Sequence, residues 1–175
     1  IIFQQVCQFG GTKNPPGMTL SEYRVMFYVW AILPSALLLT FDVRTVLTHP
    51  DGFECVSMIR NPEVLAVNQD PAAIGSRLLS QGFTGPAPTT VSITYQVFGR
   101  KLSAKNTYAA VLLNRFNTTL LAKVTWADLM SDMNPIPRNA TVRDLGKQIT
   151  LGPFTDTFVT TVPPHDAVMI SAVAA

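Results

Sequence analysis

The chain has 175 residues, with 13 Lys+Arg against 11 Asp+Glu and a formal net charge of +2. Its residues are 47% hydrophobic and only 14% charged, so a real core is expected with less charge than the roughly one quarter usual in a free-standing soluble domain. No basic run is present, which argues against nucleic acid, glycosaminoglycan and anionic lipid as partners.

Ile1 opens inside an apolar phrase, IIFQQVCQF, with no initiator Met and no basic n-region. That reads as an internal start, so a fragment or a processed product is expected. Residues 1–9 suit a short strand by their β-branched and aromatic content. Residues 10–17 (GGTKNPPG) read as a loop.

The stretch from Thr19 to Arg44 organises the chain. Thr19 and Glu22 have capping-box spacing. Tyr23, Met26, Phe27, Trp30 and Ala31 recur at helical intervals, and Pro34 stops the helix. Residues 36–41 (ALLLTF) form a continuous apolar run, as in a parallel strand covered on both faces. Asp42 and Arg44 follow, at the strand end where α/β folds place chemistry. A membrane span over residues 25–41 is the rival reading. The segment is short, Pro34 divides it, and Glu22 and Asp42 flank it, so no span is expected.

After a turn at residues 48–52, residues 53–60 suit a short helix with Phe53, Val56 and Met58 or Ile59 inward. Asn61-Pro62 reads as a break and residues 64–67 as a second buried strand, closed by Asp70. This alternation is the grammar of a parallel α/β sheet. Past Pro71 the pattern changes. Residues 72–79 suit one or two helical turns, and residues 82–88 (GFTGPAP) read as a linker. Residues 91–97, 108–113, 120–126, 140–145, 154–162 and 168–173 then form a series of strands, as in an antiparallel sandwich or barrel.

Asp42 and Asp70, each closing an apolar run, are candidates for a paired-carboxylate site. The duller alternative is an Asp that caps a helix or pairs with a neighbouring Arg, here Arg44. Trp126 and Tyr95 can stack on a sugar ring, though isolated aromatics in a sandwich are more often core. His165 reads as a surface turn residue. His49 and His165 have no Cys/His company, so no metal site and no cofactor are expected. Cys7 and Cys55 are free, paired with each other, or paired outside the chain. Asn117-Thr118-Thr119 and Asn139-Ala140-Thr141 are N-glycosylation sequons, which makes Asn117 and Asn139 candidate acceptors.

Together these phrases resemble a known family. MTLSEYRVMFYVWAILPSALLLTFDVRTV, NPEVLAVNQDP, VRDL, LGPFTDTF and TVPPHDAVMI are similar, in order, to motifs of the α-galactosidases (melibiases). The resemblance implies a retaining glycoside hydrolase with a (β/α)₈ barrel followed by an antiparallel β-sandwich. It implies that residues 1–82 are the last β/α units of the barrel and residues 83–175 the sandwich. Asp42 and Val43 would then wall the sugar pocket after the seventh strand. The family's nucleophile, in a Y-x-K-x-D motif, has no match here, and its acid/base Asp falls just before Ile1. No catalytic residue is therefore expected in this chain, which by itself should be inactive. Ile2 stands where the family often has an Asp, and the loop at residues 10–17 is longer than usual. An α-N-acetylgalactosaminidase, or a non-catalytic carbohydrate-binding or interaction protein, fits the same motifs. The expected partners are an α-galactoside substrate and the preceding part of the same protein, with a homodimer left open, in a secreted or lysosomal setting.

Overall fold

The structure is a computed structural model that describes residues 7, 17–39, 42, 44, 46–72, 74–84 and 92–175. Helix α1 (Leu20–Ile32) starts at the expected capping box. Glu22 N donates to Thr19 Oγ1 at 3.3 Å and Thr19 N to Glu22 Oε2 at 2.7 Å. Tyr23, Phe27 and Ala31 are buried as the helical spacing requires, joined by Tyr28 and Ile32. Met26 and Trp30 are only partly covered.

Two expected strands are not strands where they are described, and Thr40 and Phe41 of the first lie outside the described residues. Residues 36–39 run irregularly, with one isolated bridge at Leu39. Leu38 and Leu39 are 45% and 48% exposed. An apolar run becomes a buried strand only between paired edges, and among the described residues none forms a ladder beside it. Residues 64–67 belong to a helix, α3 (Pro62–Asn68). Asn61 is not the breaker that Asn-Pro suggests, because its side chain accepts from the amides of Glu63 and Val64. Pro62 takes the first helical position, where its missing amide hydrogen costs nothing. Asn-Pro-Glu is thus a helix start.

Between them, a 3₁₀ turn (Val46–Thr48) leads to α2 (Gly52–Ile59). Its buried residues are Gly52, Cys55 and Ile59, while Phe53, expected inward, is 77% exposed. Cys55 forms a disulfide with Cys7. The expected strand and loop at residues 1–17 lie outside the described residues, save Cys7 and Gly17.

The second part is antiparallel β-structure, as expected. Its strands are β1 (Arg77–Thr84), β2 (Ser92–Lys101), β3 (Thr107–Asn114), β4 (Leu120–Thr125), β5 (Asn139–Asp144), β6 (Ile149–Thr155), β7 (Thr157–Val162) and β8 (Ala167–Ala174). A short helix, α4 (Trp126–Leu129), follows β4. Residues 77–84 correct two readings at once. They are neither helical turn nor linker but a strand paired with β2 from Arg77↔Gly99 to Thr84↔Ser92. The run 154–162 is two strands, because Asp156 takes φ +59 and turns the chain from one sheet to the other. Asp tolerates that left-handed conformation better than most residues.

Six strands form one sheet in the order β1-β2-β3-β8-β5-β6, and β4-β7 form a second. The large sheet has two covered faces. Ala109, Val111, Ala167 and Met169 join the helices in one core, with Tyr23, Phe27 and Val64. Tyr108, Ala110, Leu112, Ile170 and Ala172 join Val124, Trp126, Phe158 and Val162 in another. The layers run helices, large sheet, small sheet. Trp126 is core, its Nε1 donating to Phe154 O at 3.1 Å, and Tyr95 packs against the same cluster. Neither is offered to a ligand as a free stacking platform.

Asn61 also links the layers, since its Nδ2 donates to Leu145 O at 2.8 Å from a buried position. Asn61→Ala removes the cap and orphans that carbonyl. It should lower stability by about 2–3 kcal/mol in urea titration. Asn61→Asp keeps the cap but turns a carboxylate oxygen on the Leu145 and Gly146 carbonyls, and should lose at least as much.

Candidate functional site

Asp42 is exposed, and its carboxylate is bound by Arg44 two residues on. Arg44 Nε and Nη2 donate at 3.0 and 2.8 Å, and the Arg44 amide donates at 2.9 Å. These bonds hold the Asp42 carboxyl below its ordinary pKa and raise that of Arg44. Asp42 is therefore ionised and oriented, an acceptor and not an acid. Val43 lies outside the described residues.

Asp70 is different. Its side chain is only 9% exposed and all its capacity is spent. It accepts from Ser103 N at 3.0 Å, Ser103 Oγ at 2.7 Å and Ala72 N at 3.0 Å. Arg100, fully buried, approaches it at 3.8 Å and donates to Val67 O at 2.9 Å. Burial opposes the charge on Asp70. The Ser103 and Ala72 bonds and the Arg100 guanidinium outweigh it and hold the carboxyl below its ordinary value. The two carboxylates thus do not form the matched pair that the sequence suggested. Asp70 is an anchor joining the end of α3 to the β2–β3 turn.

A second anchor gave no signal in the sequence. Arg24 on α1 donates through Nη1 to Asp166 Oδ2 at 2.6 Å, 142 positions away. Ser21 Oγ reaches the same oxygen at 3.2 Å, and Ala167 N occupies the other at 2.7 Å. Only adjacency in the fold brings these residues together. The loops nearby are held by Asn114, fully buried, whose Nδ2 donates to the carbonyls of Thr118, Val162 and Pro163.

Beside these anchors, a groove of about 620 Å³ opens between α1 and the strands β2 and β3. Val25, Met26, Val29 and Trp30 line it from the helix and Phe98 and Leu113 from the sheet, with Glu22 and His165 among its polar walls. His165 is an exposed turn residue, as read. Among the described residues, no group of three His, Cys, Asp or Glu side chains is placed to hold a metal ion. No helix among them is long and apolar enough to cross a membrane.

Comparisons with known proteins agree in direction. Residues 92–172 match the model of the alpha galactosidase C-terminal beta sandwich domain. An alpha-galactosidase of Coffea arabica is 30% identical over 156 residues, covering 87% of this chain and 35% of that protein. A probable alpha-galactosidase of Dictyostelium discoideum is 25% identical over 93% of this chain and 40% of its own length. The crystal structure of alpha-galactosidase I from Mortierella vinacea superposes with a TM-score of 0.74 at 31% identity, over 91% of this chain and 37% of that one. The chain thus spans between 35% and 40% of the length of these relatives.

The Asp70 anchor has a pH signature. A carboxyl depressed in the folded state contributes stability above its unfolded pKa and loses it as pH falls through the folded value. Urea midpoints should fall as pH is lowered below about 4, and Asp70→Asn should flatten that acid limb while lowering the midpoint at pH 7. Parallel curves for the two proteins would contradict this.

Proposed function

This chain belongs to the α-galactosidase (melibiase) family as its C-terminal part, and from that premise we propose that the full-length protein is a retaining α-galactosidase. It removes terminal α-linked galactose from oligosaccharides or glycoconjugates. The observation that carries the reading is the extent of the Coffea arabica match, 87% of this chain. That extent includes helical residues as well as the sandwich residues 92–172 covered by the domain match.

In this reading the helical part closes a catalytic barrel and the sandwich braces it from outside. The division expected at residues 82–83 then lies closer to Pro71, since β1 (Arg77–Thr84) already pairs with the sandwich strand β2. The preceding part of the same protein covers the apolar groove on α1 and gives residues 36–41 the strand neighbours that such a run needs. Asp42, ionised and oriented by Arg44, accepts hydrogen bonds from sugar hydroxyls on the barrel rim, and Val43 stands beside it. Retaining hydrolysis needs two carboxylates about 5–5.5 Å apart, one attacking the anomeric carbon and one protonating the leaving oxygen. By the family resemblance both lie outside this chain, and the placing of Asp42 beside Arg44 and of Asp70 on Ser103 fits neither residue to such a pair. The Cys7–Cys55 disulfide supports a secreted or lysosomal protein, since such bonds persist in oxidising compartments.

The test uses the full-length protein, an aryl α-galactoside and a mechanism-based covalent label. The wild type should turn over the galactoside in preference to the aryl α-N-acetylgalactosaminide. Asp42→Asn should lower kcat/KM about 10- to 100-fold through one weakened sugar contact, yet leave covalent labelling intact. Label attached to Asp42 itself, or no turnover of either glycoside, would overturn the proposal.

A further inference from the structure

Residues 115–119 turn between β3 and β4, and all five are exposed. They contain the triplet Asn117-Thr118-Thr119. The backbone of this turn is held from beneath, because Asn114 donates to Thr118 O and accepts from Phe116 N at 2.8 Å each. Among the described residues, the side chain of Asn117 is held at one atom. Its Oδ1 lies 2.6 Å from His165 Nε2, and the tautomer with hydrogen on Nε2 donates it there. His165 reaches that position at φ +51, a conformation uncommon for a residue with a β-carbon. Among the described residues the amide nitrogen of Asn117 has no hydrogen-bond partner, and it sits on an exposed residue.

The second triplet is placed differently. Asn139 begins β5 and pairs with Thr155, whose hydroxyl donates to Asn139 Oδ1 at 2.8 Å. Its carbonyl accepts from Ala175 N at 3.1 Å. A sugar on Asn139 stands over cross-strand neighbours about 5 Å away. One on Asn117 leaves from a turn that passes from one sheet to the other without breaking any bond described here, and the His165 contact survives because Oδ1 is retained.

We propose that Asn117 carries an N-linked glycan. Nδ2 attacks C1 of the first sugar of a lipid-linked oligosaccharyl diphosphate. The C1–O bond breaks, the diphosphate leaves with the bonding pair, and Nδ2 gives up one proton. The attached sugar then shields the neighbouring Phe116, which is 37% exposed. Bulky, solubilising carbohydrate suits such a surface turn. The proposal rests on the secretory route of the preceding section.

The experiment is amidase deglycosylation of the full-length protein in H₂¹⁸O, followed by peptide mass spectrometry. Secreted protein should show Asn117 converted to ¹⁸O-labelled aspartate. Thr119→Ala, which leaves Asn117 and His165 in place, should abolish the label and remove one glycan's mobility shift, and Thr119→Ser should restore both. Secreted protein with an unlabelled Asn117 overturns the site. Protein that never enters the secretory pathway overturns the localisation instead. In that event the same protein, given a signal peptide, still decides the acceptor: label at Asn117 supports it and an unlabelled Asn117 overturns it.

Discussion

The structure depends on one sheet having no solvent face at its centre. Along β3, every residue from Tyr108 to Asn114 is buried. Neighbouring side chains on a strand point to opposite faces, so Val111 enters the helical core and Leu112 the sandwich core. Antiparallel sheets usually leave one face to water. Here the helices cover the face that a simple two-sheet sandwich would leave exposed. The helical part is therefore mounted on the sandwich and shares its central strands.

Burial alone allows helices to slide on a sheet, because apolar contact has no direction. Three polar anchors remove that freedom: Arg24–Asp166, Asp70–Ser103 and Asn61–Leu145. The Arg143–Glu63 pair, at 2.6 and 2.8 Å, adds a fourth at a more exposed position. A buried ion pair is poor evidence of net stabilisation, yet losing one partner costs about 3–5 kcal/mol because the other stays buried. Such pairs penalise wrong docking angles more than they reward the right one. Through them the sandwich sets where α1 and α3 stand, and in the proposed enzyme that placement reaches the rim carrying Asp42.

How much of this was legible in the sequence varies by element. The α1 cap was plain, because Thr19 and Glu22 declare it locally. Most sandwich strands were plain too, because alternation and Pro/Gly/Asn punctuation are local signals. Residues 64–67 were misread because four apolar residues have no distinctive period, and the arbiter was the cap before them. β1 was missed because Leu78 and Leu79 followed by Ser80 and Gln81 do not alternate, and only β2 makes them a strand. Asp42 was legible as a candidate, and Arg44 two residues on makes the pairing legible too. The part Asp70 plays was hidden, since Ser103 lies 33 residues away. No local pattern marks a tie between distant loops.

Helices and sandwich share β3 and β8 and therefore open together. Native-state hydrogen exchange on the full-length protein tests this most directly. Amides of Phe27 and Tyr28 in α1 should show the same opening free energy, with the same denaturant dependence, as those of Val111 and Leu112 in β3. If the α1 amides exchange through a separate, much cheaper opening while β3 stays protected, the helices merely rest on the sandwich and the account is wrong.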